Sequence, residues 1–125
     1  MVIIVKRLED SDVKIDNSLQ IDEDKLKIIQ NPIFSSTTRL TIMMILNANQ
    51  QAGFTTLRKL LKITAGNMDH HTKTLETAGY LTKSKTFSFK QPMTILKITN
   101  SGKIAFKTYT DQLTEFLNKS KKIER

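Results

Sequence analysis

Between Thr64 and Ala78 the chain sets out a row of hydrogen-bonding side chains, Asn67, His70, Lys73 and Thr74, with Gly66 just ahead of them. At 3.6 residues per turn these positions share one face of a helix, while Met68, Thr72, Leu75 and Ala78 share the opposite face. The chemistry they offer is recognition. Asn pairs bidentately with adenine, Lys reaches guanine acceptors or a phosphate, and His donates to a base edge or a phosphate. Gly66 allows close approach of the backbone at the helix start. Each position also has a plainer use: Lys73 as a solvated helix lysine, Asn67 as a cap or turn residue beside Thr64, His71 in a structural hydrogen bond between helices. Asp69 stands four residues before Lys73 and can orient it.

Bond-making chemistry finds little support. The chain has no Cys, which removes disulfides, thiolate catalysis and thiolate-bound zinc. His70 and His71 are adjacent, so they point about 100° apart on a helix and have no third ligand in view. No metal or cofactor is expected. Neither a P-loop, a Gly-rich phosphate loop nor a nucleophile–base pair is visible, so an enzyme is not expected either. The longest apolar runs, Val2–Val5 and Ile42–Leu46, fall far short of the roughly 20 residues that span a bilayer. With no apolar signal segment behind the first residue, a cytoplasmic location and no membrane partner are expected.

Charge sharpens the picture. Over 125 residues the formal net charge is +8, but residues 1–30 hold five basic and seven acidic side chains, and residues 31–125 hold fifteen and five. A basic body behind a mildly acidic leader is the footprint of a polyanion partner; a lysine-rich surface serving solubility gives the same count.

The elements that must position the recognition row follow from periodicity. Residues 1–20 read either as a strand pair, Val2–Val5 with Val13–Ile15, or as a loose arm. Ile21–Gln30 predicts a short helix capped by Asp22 and stopped by Pro32. Ser35 or Ser36 caps a helix to about Ala48 or Asn49, apolar on nearly every side and so expected to be buried on both faces. Asn47–Gly53 is a polar connection. Thr55–Leu61 forms a second short helix, with Arg58, Lys59 and Lys62 either touching a nucleic-acid backbone or simply wet, and Arg39 open to the same two uses. The recognition row begins after Ile63 with Thr64 as cap and stops at Ala78–Gly79. Two helices so joined match a helix-turn-helix. Tyr80–Phe87 and Met93–Ile98 then alternate as strands around a turn at Ser88–Pro92, with Lys83, Lys85, Lys90 and Lys97 making the hairpin basic. A final helix runs from Asn100 or Ser101 to about Lys119, capped by Thr99. Its Phe106, Tyr109, Leu113 and Phe116 fall at 3, 4, 3 spacing, with Ile123 one heptad on. That stripe packs either on the N-terminal helix of its own chain or on its copy across a two-fold axis, the second being favoured.

In this order the segments NPIFSSTTRLTIMMIL, ITAGNMDHHTKTLETAGYL and KQPMTILKITNSGKIAF resemble winged-helix regulators of the MarR and ArsR type, specifically a small archaeal-type group. The second resembles that group's recognition-helix pattern T-x-G-N-L-x-x-H-L-x-x-L-E-x-A-G-Y. The third resembles its wing and exit, R-P-x-T-x-x-x-L-T-x-x-G-x-x-x-F. The likeness covers about residues 31–117. Thr37 stands where the group often has Pro, Thr72 where it has a core Leu, and Gln91 where it has a wing Arg, leaving Lys90 as the nearer phosphate contact.

The resemblance implies a mainly α (α+β) fold, a winged helix-turn-helix with a two-stranded hairpin wing and a long C-terminal helix. It divides the chain into an arm and short helix (1–30, a possible dimerisation element), a DNA-binding domain (31–99) and a dimerisation helix (100–125). The expected function is a homodimeric, sequence-specific regulator of double-stranded DNA. Contacts are expected from Gly66, Asn67, His70, Lys73, Thr74, Arg58, Lys83, Lys85, Lys90 and Gln91, and dimer contacts from Phe106, Tyr109, Leu113 and Phe116. An architectural, chromatin-like DNA-binding protein and a winged helix for protein–protein contact are the alternatives. A small-molecule effector site near Met43, Met44, Phe34 and Phe54 is compatible with the resemblance, with core packing the simpler use of those side chains.

Overall fold

The computed structural model describes residues 22–123, so Val2–Val5 and Val13–Ile15 lie outside the described residues. Helix α1 (Glu23–Ile29) opens at Asp22, whose carboxylate accepts from the backbone N–H groups of Asp24 at 2.9 Å and Lys25 at 3.3 Å. Acidic Glu23 and Asp24 then meet the positive end of the helix dipole. Asn31 caps a single 3-10 turn, Pro32–Phe34, which drops Phe34 into the core at 2% exposure. There Phe34 stacks on Tyr80 (ring centroids 5.6 Å apart), meets Phe106 edge-on (6.2 Å) and lies against Tyr109 (4.9 Å).

Helix α2 (Thr37–Asn49) is capped by Ser36, whose Oγ accepts from the Arg39 N–H at 3.2 Å. Ile42, Met43 and Leu46 are fully buried, but Met44 is 53% exposed. Within one chain burial on both faces is incomplete: the packed helices, sheet and 3-10 turn leave Met44 on an open side, where a second subunit is one expected cover. The predicted polar connection also contains a strand, β1 (Gln51–Gly53). Gln50 turns the chain into it with φ 72° and ψ −40°, its N–H donating to Leu46 O at 2.7 Å and its carbonyl accepting from Ile98 N at 3.0 Å. A side chain at positive φ costs about 1 kcal/mol that Gly avoids. Gln50→Gly is accordingly expected to raise stability by about 1 kcal/mol in a urea titration, with an unchanged slope.

Helices α3 (Phe54–Leu61) and α4 (Ala65–Thr77) form the helix-turn-helix, joined through Lys62 in the left-handed region. Thr64 caps α4 as predicted, its side chain accepting from Asn67 N at 3.1 Å. The far end closes through Gly79 (φ 83°), with Gly79 N donating to Glu76 O at 2.9 Å and Tyr80 N to Leu75 O at 3.0 Å. This paired closure satisfies the last carbonyls and needs a residue that tolerates positive φ.

Strands β2 (Leu81–Ser88) and β3 (Gln91–Ile98) form the hairpin, and β1 pairs with the other side of β3 in an antiparallel sheet ordered β1-β3-β2. Leu81, Leu96 and Ile98 face the core. The turn is tighter than Ser88–Pro92: pairing continues to Ser88 opposite Gln91, leaving only Phe89 and Lys90, at φ 51° and 64°. Pro92 lies in the strand opposite Phe87. Pairs alternate along an antiparallel ladder, so the pair next to the closing one makes no cross-strand bond, and β1 does not extend that far. The missing proline N–H therefore costs the sheet nothing.

Helix α5 (Asn100–Ile123) begins at a junction that fixes its position against the rest. Thr99 Oγ1 donates to Gly79 O at 2.6 Å and accepts from Gly102 N at 2.9 Å, while Thr99 N donates to Tyr80 O at 3.1 Å. Phe106 enters the core four residues after Gly102. Across the helix, Lys25 Nζ reaches Glu115 Oε2 at 2.7 Å and ties α1 to it.

Candidate nucleic-acid interface

Helix α4 separates its faces as its periodicity predicts. Met68, Thr72 and Leu75 are fully buried, and Ala78 is half-buried. Thr72 keeps a polar group in the core at no cost, because its hydroxyl donates to Met68 O at 2.9 Å and lies 3.2 Å from Asp69 O. On the other face Gly66, Asn67, His70 and Lys73 are exposed and Thr74 is half-buried, its hydroxyl bonded to His70 O at 3.0 Å. Asn67 contributes its backbone N–H to the cap, while its side chain makes no hydrogen bond among the described residues. His70, Lys73, Thr74 and Thr77 line a shallow concavity with Ile33 of the 3-10 turn.

Asp69 does not pair with Lys73. Its carboxylate lies 3.7 Å from Lys83 Nζ on β2, so it ties the root of the wing to α4. An exposed pair of this length contributes at most about 1 kcal/mol, an addition to the buried Leu81, Leu96 and Ile98 that seat the hairpin. Lys73 has no acidic partner among the described residues, and the same holds for Lys85 and Lys90 farther along the wing. Lys85, Lys90 and Gln91 are exposed. Lys83 is largely covered, and Arg58 is half-buried with Nη1 donating to Ile63 O at 3.4 Å, so both are engaged within the chain.

Arg39 is half-buried and engaged within the chain. Its Nε donates to Ile33 O at 2.8 Å and its Nη2 to Pro32 O at 3.1 Å, locking the 3-10 turn onto α2. Its Nη1 lies 3.1 Å from His71 Nδ1. A guanidinium only donates, so that nitrogen accepts and the imidazole proton sits on Nε2. His71 thus takes the structural role that its sequence position predicts. Burial, then the Arg39 charge and His70, hold the His71 imidazole below its ordinary value of 6.5. The unfolded chain takes up this proton near the ordinary value, while the folded chain resists it until lower pH. Stability from this source is complete above the ordinary value and declines as pH falls through the window beneath it. His71→Gln is expected to flatten that part of a stability–pH profile measured by thermal unfolding.

The aromatic stripe of α5 divides. Phe106, 8% exposed, belongs to the chain's own core, and Tyr109, half-buried, lies on Phe34 of the same chain. The 3-10 turn explains it: Phe34 enters from the side those residues face. Leu113 and Phe116 are half-buried, and Leu117, 56% exposed, extends the same side of the helix. The supposed effector residues are not brought together. Phe34 and Met43 are core, Met44 is exposed, and Phe54 lines a separate cavity of about 360 Å³ with Asp69, Lys83, Ser84, Lys85 and Thr94.

Two side chains escape the sequence reading. Phe87 and Phe89, on the wing, are 74% and 98% exposed. Phe87 ends a predicted strand whose face here extends beyond the core, and Phe89 falls in the predicted turn, where no period applies. Among the described residues, no group of three or more His, Asp or Glu side chains is placed to hold a metal, and no helix is long and apolar enough to cross a membrane.

Comparison with known proteins places this architecture. Residues 38–117 match a family model described as a winged helix DNA-binding domain. An uncharacterized protein of Methanocaldococcus jannaschii is 39% identical over 92 residues, covering 74% of this chain and 97% of that protein. A transcriptional regulator homologue from Pyrococcus horikoshii superposes with a TM-score of 0.70 at 30% identity, over 76% of this chain and 95% of the other. A mutant of MarR from E. coli, solved with operator DNA, shares the fold at a TM-score of 0.61 and 13% identity, over 78% and 71% of the two chains.

Proposed function

The chain belongs to the winged helix DNA-binding domain family, and from that premise we propose that it is a homodimeric regulator that reads duplex DNA through α4. One observation carries the proposal: the exposed face of α4 holds Gly66, Asn67, His70 and Lys73 beside a wing whose Lys85 and Lys90 have no acidic partner among the described residues. In the major groove Asn67 and Lys73 meet base edges, His70 meets a base edge or phosphate, and the wing lysines neutralise phosphates alongside. Thr74, with its hydroxyl proton held by the helix, offers an acceptor. Lys83 and Arg58 contribute charge from positions anchored in the fold. Gln91 is one more donor near the wing turn.

Pairing of two chains uses the second half of α5, through Leu113, Phe116 and the exposed Leu117, since the first half is spent on the chain's own core. A two-fold dimer presents its reading helices about 34 Å apart, one turn of B-DNA. An effector pocket has no support in the placement of Phe34, Met43, Met44 and Phe54.

Gly66 gives a test that separates folding from binding. A Cβ built there meets nothing within 4 Å, so the fold has no need of glycine. Gly66→Ala is expected to stabilise the free protein by about 0.5–1 kcal/mol through helix propensity. On DNA the added methyl stands where the backbone must approach. Fluorescence anisotropy with duplex fragments from its own genome at several salt concentrations should show weaker binding by the more stable protein. Equal weakness on every fragment, with a steep salt dependence, would favour the architectural alternative.

A further inference from the structure

We propose that Phe89 is an apolar wedge that enters the minor groove next to the major groove occupied by α4 and kinks the duplex there. The proposal rests on the DNA-binding function above and adds a contact that the recognition helix does not supply.

Phe89 is 98% exposed, the most exposed large apolar residue described, and it sits at the extreme tip of the hairpin. Its position is strained: Phe89 and Lys90 both hold positive φ, 51° and 64°. Hairpin turns of this kind select Asn-Gly because those residues adopt such angles without cost. A Phe-Lys pair in that turn gives up stability that Asn-Gly would supply, as backbone strain does at functional sites. Phe87 lies on the sheet face shared with Lys83 and Lys85, opposite Pro92, and is itself 74% exposed. An apolar tip is thereby ringed by cations with no acidic partner among the described residues, Lys85 below it and Lys90 beside it. That combination fits a polyanion with an apolar interior between its stacked bases, and a purely apolar partner would not call for the lysines.

The reach is right. The pair between Lys83 and Asp69 anchors the wing root to α4, and Phe89 lies six residues farther along the strand. At about 3.3 Å per residue the tip extends roughly 20 Å from that anchor. Half a turn of B-DNA, the step from a major groove to the next minor groove, is about 17 Å. Phe, Leu, Ile and Met side chains inserted at base steps from the minor groove unstack and bend the duplex, most easily at a TA step.

The test uses the full chain and an end-labelled mixed-sequence duplex of about 30 base pairs with TA steps, read by anisotropy for affinity and by end-to-end energy transfer for bending. Phe89→Ala is expected to lower affinity about tenfold or more and to straighten the duplex, with the slope of affinity against salt unchanged. Phe89→Leu keeps most of the bend. Lys90→Ala keeps the bend and lowers the salt slope by about one. Since the chain has no Trp, Phe89→Trp introduces a single indole, expected to be quenched and shielded from acrylamide on the duplex. Phe89→Ala that binds and bends like the unmodified chain overturns the wedge and leaves DNA recognition standing, as does an effect of Phe89→Ala on self-association alone. Failure of the unmodified chain to bind duplexes, from this probe to its genomic fragments, overturns the wedge together with the DNA reading.

Discussion

Charge reversal at Lys73 is expected to weaken duplex binding by about thirtyfold, roughly 2 kcal/mol, while leaving the unfolding midpoint unchanged. The side chain is exposed at the middle of the reading face and has no acidic partner among the described residues, Asp69 being turned toward Lys83 at 3.7 Å. Lys73→Glu therefore removes no contact that the fold uses. On DNA it deletes a favourable base or phosphate interaction and sets a carboxylate against the phosphates. Lys73→Gln, which deletes without repelling, should fall between and reduce the salt slope by about one. Lys107→Gln is the matched control, since Lys107 pairs with Asp111 at 2.6 Å on α5, away from the reading face. An equal loss at both positions would show that only net charge matters. A loss confined to Lys73 would place the contact on α4.

Gly102→Ala is expected to cost about 3 kcal/mol of stability, measured by denaturant or thermal unfolding. A Cβ at this position would overlap Tyr80 O and stand 3.0 Å from Tyr80 C and 3.1 Å from Ile98 Cγ1. Two of these atoms are backbone, at the turn that Thr99 ties to Gly79, so no rotamer change relieves the clash. Either α5 tilts or the α4–β2 turn moves. Both outcomes withdraw Phe106 and Tyr109 from Phe34 and loosen α5 from the 3-10 turn and α2. Alanine's gain of about 1 kcal/mol in helix propensity is too small to offset this. The contrast with Gly66→Ala, the same substitution near the start of another helix and expected to act in the opposite direction, makes the pair informative.

Much of the scaffold is legible in the residues alone because its boundaries are set locally. Ser36, Thr64 and Thr99 each cap a helix with their own side chain, and Gly79 ends one by tolerating positive φ. The faces of α4 are legible for a similar reason, since period and burial coincide there. What escapes is decided at longer range. Gln51–Gly53 has no strand character of its own, and it pairs only because α2 delivers it beside Ile95–Lys97. Asp69 has a helical neighbour at the right spacing, yet the folded wing brings Lys83 to it. Pro92 gives a turn signal, but the ladder accommodates it, so the true turn is two strained residues. The 3, 4, 3 stripe of α5 is present, but periodicity states that a face is apolar without naming what covers it. Phe34 covers its first half.

The central claim, that α4 reads duplex sequence as one half of a symmetric pair, is tested most directly by selection of the full chain on a randomised duplex library at moderate salt. The expected product is a dyad-symmetric site with half-sites about 10 base pairs apart, centre to centre, each losing its preference in Asn67→Ala or Lys73→Gln. Retention without sequence enrichment, or enrichment that those two substitutions leave unchanged, would contradict it.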